Sequence, residues 1–220
     1  VGQKGDRFVE AILAATDAGD TRNLRPRTKL RPFQEVIAHW LRQMGLISSF
    51  RVEEIRPGSN LFQARVVVRD GAPEVLLTDV GIGVSQVLPV LTLLYYVEEG
   101  STVMLEQPEI HLHPLAQAAL ADVLVTVAQH RRIQIIIESH SEHLLLRLQR
   151  RIAEDSIHSD QVKLYFAEPI GSGSRLVKLK VDAFGTILNW PDKFMGDAVG
   201  ELEKAAEAKV LRFKAEKSSR

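Results

Sequence analysis

Between residues 102 and 166 the sequence alternates two kinds of stretch, and that alternation restricts the fold more than any other feature. Val103-Met104-Leu105, Ile133 to Ile137 and Val162 to Phe166 are short apolar runs, while Leu115 to Ala128 and Glu142 to Ile152 between them read as helices. Strands that are apolar throughout are those buried on both faces, and a strand–helix–strand unit closes with a right-handed crossover into a parallel sheet. The expected class is therefore α/β, a mainly parallel sheet flanked by helices. The three runs should lie side by side, with Leu176 to Val181 as an edge strand.

Upstream the pattern differs. Phe8 to Ala14 predicts a short helix, and Phe33, Val36, Ile37, Trp40, Leu41 and Met44 fall at helical spacing within an amphipathic helix ending near Gly45. Between them, Thr21 to Pro32 holds Arg22, Arg25, Arg27, Lys29 and Arg31 with two prolines and no acid, which predicts a loop. Such a loop is most often a solvated connector, with a contact to nucleic-acid phosphates as the alternative. Phe50 to Ile55 and Leu61 to Val68 alternate around Pro57-Gly58, a hairpin signal, and Glu74 to Leu77 predicts a further strand. Val84 to Val97 is almost wholly apolar and predicts a buried helix. Val199 to Phe213 predicts a helical tail with Glu201–Lys204 and Arg212–Glu216 at pairing distance. Trp40, Trp190, Tyr95 and Tyr96 are expected in the core. The natural divisions are 1–76, 77–181 and 182–220.

Composition removes several classes of function. The 220 residues are 45% hydrophobic and 25% charged, with formal net charge zero, so nothing draws the whole chain to nucleic acid or to an anionic membrane. There is no cysteine, which excludes disulfides and thiolate metal sites and fits a reducing cytoplasm. The longest apolar run, Val87 to Val97, falls short of the ~20 residues a membrane-spanning helix needs.

Chemistry concentrates where two of the apolar runs stop, and ligands of open parallel sheets bind beyond the carboxyl ends of strands. Val103-Met104-Leu105 stops at Glu106-Gln107-Pro108-Glu109-Ile110-His111-Leu112-His113-Pro114; Ile135-Ile136-Ile137 stops at Glu138-Ser139-His140-Ser141. A strand ending in a carboxylate fixes that acid rigidly, the arrangement that holds Mg²⁺ beside nucleotide phosphates. Upstream, Gly81 and Gly83 let a backbone approach an anion, and Ser85 and Gln86 open a helix whose free N–H groups attract phosphate.

Taken together, VMLEQPEIHLHP, IIIESHSEHLL and LTDVGIGVSQVLPVL resemble the Walker B/D-loop, switch and signature segments of ABC-type ATPases of the SMC/RecF/OLD-like group. Residues after Val181 are similar to the C-terminal extension of one bacterial branch. The resemblance implies a P-loop NTPase-like lobe, ATP and Mg²⁺ as cofactors, and a homodimer in which signature and D-loop meet the partner's nucleotide. It implies Glu106 as the magnesium-side acid, and Gln107 at the position of a catalytic glutamate. Gln107 cannot take a proton from water, so either hydrolysis is slow or Glu109 serves as base. His140 becomes the γ-phosphate sensor; Gly81, Gly83, Ser85, Gln86, His111 and His113 become nucleotide-contacting positions.

One part of that machinery is missing from the 220 residues: no G-x-x-x-x-G-K-[ST] occurs, and no lysine follows a glycine. The expectation is a chain that is part of a longer protein, with the phosphate-binding loop N-terminal to it, and inactive as an ATPase alone. Two other readings stand beside this one. The chain could be a non-catalytic module that dimerises or docks an effector protein. Alternatively, Glu109, His111 and His113, or Glu138, His140 and His143, could ligate the metal of a hydrolase.

Overall fold

The structure, a computed structural model, describes residues 1, 6–25, 27–56, 58–59 and 61–191. The expected helical tail 199–213 lies outside the described residues. The chain divides into two compact units, Val1–Arg151 and Ile152–Arg220.

In the first unit, α1 (Phe8–Asp17) and α2 (Phe33–Gln43) flank a small antiparallel ribbon. The ribbon pairs β1 (Thr21–Arg22) with β2 (Arg31–Pro32), so the segment expected as a plain loop is closed at its base. α2 buries Phe33, Val36, Ile37, Trp40 and Leu41, the stripe its spacing demands. An antiparallel sheet follows: β3 (Ser49–Glu54), β4 (Phe62–Val67) and β5 (Val75–Leu76), in that order. Phe50 pairs with Val66, and both are buried.

α3 (Ile82–Tyr96) is the central helix. It carries Pro89, whose ring removes one helical hydrogen bond at a cost of ~3 kcal/mol. Burial outweighs this, because Val84, Val87, Leu88, Leu91, Leu94 and Tyr95 are all in the core. Its one buried polar side chain, Thr92, donates to the Leu88 carbonyl at 2.8 Å. Trp40 Nε1 donates to Tyr95 Oη at 2.7 Å, and burial pushes the Tyr95 hydroxyl up to about 12. Tyr96 and Trp190 are 40% and 43% exposed, against expectation. The buried Arg131 donates to the Leu94 and Val97 carbonyls, each at 2.6 Å, closing the end of α3.

The parallel element is the pair β6 (Thr102–Glu106) and β7 (Gln134–Glu138), joined by α4 (Pro114–Arg131) and followed by α5 (Glu142–Ala153). Val103 and Leu105 face the core, while Met104 and Ile136 are 73% and 49% exposed. Among the described residues of the first unit the pair is thus covered on one face. α4 and α5 are clasped by Asp122, which accepts from Arg147 at 2.5 Å and Arg151 at 2.6 Å.

The third apolar run does not join these strands, and the expected three-stranded parallel sheet is corrected accordingly. In the second unit, β8 (Leu164–Ile170) pairs antiparallel with β9 (Gly173–Leu179) along seven registered positions. Two observations give the reason. The connection is the two-residue turn Gly171-Ser172, with Gly171 at φ 51°, which suits a tight hairpin. β8 also alternates in burial, and Tyr165 is 54% exposed, as in a strand covered on one side. Beyond it, Val181 bridges Ile187 across a turn in which Asp182 Oδ1 accepts from the Phe184 and Thr186 amides. Among the described residues no helix is long and apolar enough to cross a membrane.

Candidate functional site

Parallel pairing sets the geometry of the site. Glu106 is registered with Glu138, so both strands end level and their backbones lie one strand spacing apart, about 4.8 Å. Both are exposed, and neither carboxylate bonds to another described residue. His140 follows two residues later, and its imidazole is likewise exposed and without a described partner. Glu106 and His140 therefore leave the same end of the sheet.

The loop from β6 to α4 is built tightly. Gln107 and His111 adopt left-handed backbone at φ 43° and 65°, sparsely populated for residues with a Cβ. Hydrogen bonds hold them there. The Gln107 amide donates to the Glu138 carbonyl at 2.9 Å, the Ile110 amide to Gln107 at 3.1 Å, and the Leu112 amide to Glu109 at 3.1 Å. Glu109, 5% exposed, turns inward. Its Oε1 accepts from Ser139 Oγ at 2.6 Å and from the His140 amide at 3.1 Å, while its Oε2 is buried with no partner among the described residues.

From there the bonds close into a ring. Ser139 Oγ accepts from the Ser141 amide at 3.1 Å, Ser141 Oγ donates to Gln117 Oε1 at 2.6 Å, and Gln117 Nε2 donates to the Leu112 carbonyl at 2.9 Å. Ser141 Oγ also accepts from the Leu144 amide at 3.0 Å and so caps α5. The post-β6 loop and the post-β7 turn are thereby one hydrogen-bonded unit. Gln117 and Ser139 did not emerge as roles from the sequence. The available signal was the position of Gln117 four residues after His113, one turn into the helix.

The remaining candidates divide. His113 caps α4, accepting from the Leu115 amide through Nδ1 at 3.3 Å, and His111 is exposed. Gly81 caps α3, and a Cβ there would meet nothing within 4 Å. A Cβ on Gly83 would lie 3.0 Å from the His111 carbonyl oxygen and 3.4 Å from Leu112. The bare face of Gly83 is thus taken up by close packing of α3 against the loop. Ser85 donates to the Ile82 carbonyl at 2.8 Å within its own helix turn, and Gln86 is exposed. The alternative metal triads fail, because no group of three His, Asp or Glu among the described residues is placed to hold an ion. For Glu109, His111 and His113 the physical reason is that Glu109 faces the buried ring and His113 faces the helix it caps.

Comparison with proteins of curated function gives no match. Among solved structures the fold is similar to one from work on the structural biochemistry of ATP-driven dimerization and DNA-stimulated activation of SMC ATPases. That match has TM-score 0.53 and 12% identity, covering 67% of this chain and 83% of that one. A second, the SMC head bound to the C-winged helix domain of ScpA, has TM-score 0.52 and 10% identity, covering 68% of this chain and 43% of that one. This chain therefore spans less than half of the second relative, and at these identities the likeness is one of fold. Residues 157–204 match a family described as "Protein of unknown function (DUF3696)". Residues 6–147 match the family described as "AAA domain, putative AbiEii toxin, Type IV TA system", which takes in both strand ends and most of the first unit, and the chain belongs to that AAA-domain family.

Proposed function

We propose that the chain is the signature-, Walker B- and switch-bearing part of an ABC/SMC-like ATPase that binds and hydrolyses ATP and works as a nucleotide-driven dimerisation switch. The observation that carries this reading is the level ending of β6 and β7, which brings Glu106 and His140 to one sheet edge. Mg²⁺ fits the residues present: Glu106 and Glu138 offer exposed hard-oxygen donors with no competing partner among the described residues. Bound ATP would supply the γ-phosphoryl group for transfer to water.

The chain's own residues divide the remaining work. Glu106 holds the metal side of the nucleotide. His140 donates toward charge developing on the γ-phosphate. Gln107, with no proton-accepting group, orients water. Glu109 is better suited to bracing than to proton transfer, since its carboxylate is buried and already accepts from Ser139 and the His140 amide. Gly81, Ser85, Gln86, His111 and His113 belong to faces that a second protomer completes, and Gly83 seats that turn against the loop after β6. DNA repair or phage defence in the cytoplasm is the setting this reading points to.

A second reading, a non-catalytic dimerisation or effector-docking module, is favoured by Gln107, which cannot take a proton from water. One pair of measurements separates the two. The 220-residue chain is expected to show no measurable ATP turnover. A version extended N-terminally through a phosphate-binding loop is expected to bind ATP, dimerise with ATP and magnesium in light scattering, and lose turnover in Glu106→Gln. An extended protein that binds no nucleotide ends the first reading.

A further inference from the structure

The ribbon β1–β2 carries a feature that the strand-end site does not use. Pairing of Arg22 with Arg31 closes the base of a loop that presents Arg25, Arg27 and Lys29, all exposed. No Asp or Glu occurs between Asp20 and Glu35. Thr28 is tied to Arg25: its amide and Oγ1 donate to the Arg25 carbonyl at 3.2 and 2.6 Å, and its Oγ1 accepts from the Arg25 amide at 3.2 Å. Arg27 is left-handed at φ 62°, a conformation with a cost for a side chain of its size.

Four arginines elsewhere in the first unit are neutralised by acids. Arg51 and Arg65 pair with Glu53 and Glu74, and Arg147 and Arg151 with Asp122. Of the ribbon's cations only the two at its base reach an acid: Arg22 lies 3.2 Å from Asp20, and Arg31 is 3.9 Å from Glu35. Arg25, Arg27 and Lys29 have no acidic partner among the described residues.

The positive field reaches two neighbouring helices. Burial first, then Arg31, Arg42 and Arg25, holds His39 on α2 below the usual imidazole range. Burial first, then Arg25, does the same to His130 on α4. Arg25 thus acts on an imidazole of each helix.

The shape of the patch indicates the ligand. A cavity of about 400 Å³ adjoins the ribbon, but Glu98 and Glu99 line it alongside Arg22, and the Arg131 guanidinium there is committed to two carbonyls. Those carboxylates oppose a small anion in the cavity. Arg25, Arg27 and Lys29 do not line it and are spread along the loop, as suits an extended polyanion with one phosphate per cation. Four arginines to one lysine within the ribbon favours phosphate groups, which guanidinium meets with two parallel donors.

We infer that the loop Arg25–Arg31 is a binding surface for the phosphodiester backbone of a nucleic acid. This holds whether or not the chain handles nucleotide, because none of these residues belongs to the strand-end site. Contact through phosphates alone predicts little sequence preference and steep salt dependence.

The test is fluorescence anisotropy with the full chain, using labelled 30-mer duplex DNA, single-stranded DNA and single-stranded RNA from 50 to 250 mM salt. Binding to at least one is expected with a Kd of about 1–100 μM, and for duplex a log–log salt slope of about −3 to −4. Arg25→Ala/Arg27→Ala/Lys29→Ala should weaken binding at least about tenfold and flatten the slope by about 3, while the all-lysine version of the two arginines keeps the slope. Arg51→Ala, which removes a paired arginine, should change nothing. Circular dichroism confirms that each variant is folded. Three results would overturn the inference: no binding to any of the three at 50 mM salt, a triple variant that binds as the parent does, or binding to phosphatidylserine vesicles that none of the nucleic acids competes away.

Discussion

Two turns that each lead into a helix N-terminus bear the chain's strongest motifs, and they are built in opposite ways. The loop 107–113 ahead of α4 is wired to β7 and α5 by a closed ring through Glu109, Ser139, Ser141 and Gln117. The turn ahead of α3 is open: Gly81 has nothing within 4 Å of a Cβ, Ile82 is 54% exposed, and Ser85 bonds only within its own helix. The two meet at one point, where Gly83 packs on the His111 carbonyl. A loop whose polar groups are consumed internally has its geometry fixed by this chain. A turn with free N–H groups and an exposed apolar side chain leaves its partners to be supplied from outside.

If the first turn is fixed from within, cutting its central bond should be costly. Glu109→Ala leaves Ser139 Oγ and the His140 amide without their acceptor, and bonds to a carboxylate are worth about 1.5–3 kcal/mol each. The unpartnered Oε2 offsets part of this, because burying a carboxylate oxygen without a donor is itself unfavourable. A net loss of about 3 kcal/mol is expected in urea unfolding followed by Trp40 fluorescence. A loss under about 0.5 kcal/mol would mean that the ring does not hold the loop.

The contact between the turns comes next. Gly83→Val puts a branched side chain where a Cβ alone would stand 3.0 Å from a backbone oxygen. Backbone cannot yield as a side-chain tip can, so a loss of about 2 kcal/mol is expected by the same assay. Gln117→Ala should cost less, about 1–2 kcal/mol, since it removes two neutral hydrogen bonds at a partly buried site. Faster amide exchange at Leu112 and Leu144 in that variant would show the two loops loosening together.

How much of this the sequence disclosed follows from which signals are local. β6, α4, β7 and α5 were legible because apolar runs, Pro114 at a first helical position and Ser141 before Glu142 are local marks. The strand ends carrying Glu106 and His140 followed directly. β8 was misassigned because an apolar run does not say which strand it pairs with; the Gly171-Ser172 turn was the better witness. The inward direction of Glu109 could not be read from spacing, because Gln107 and His111 bend the loop through left-handed backbone that non-glycine residues seldom signal. The exposed faces of Met104 and Ile136 were missed because an apolar run is compatible with burial on either one face or two.

The smallest effect sharpens the contrast most. Gly81 has ordinary φ of −58° and open space around its missing Cβ, and serine is at least as good an N-cap as glycine. Gly81→Ser should therefore leave stability within about 0.5 kcal/mol of the parent. If the open turn waits for a phosphate and a partner protomer, the same substitution in the N-terminally extended protein should weaken ATP-dependent dimerisation, because a side chain then occupies the line of approach. Stability unchanged with dimerisation lost would separate a surface kept bare for binding from one that is bare for folding. Equal indifference in both assays would leave Gly81 an ordinary turn residue, and the signature role would then rest on Ser85 and Gln86 alone.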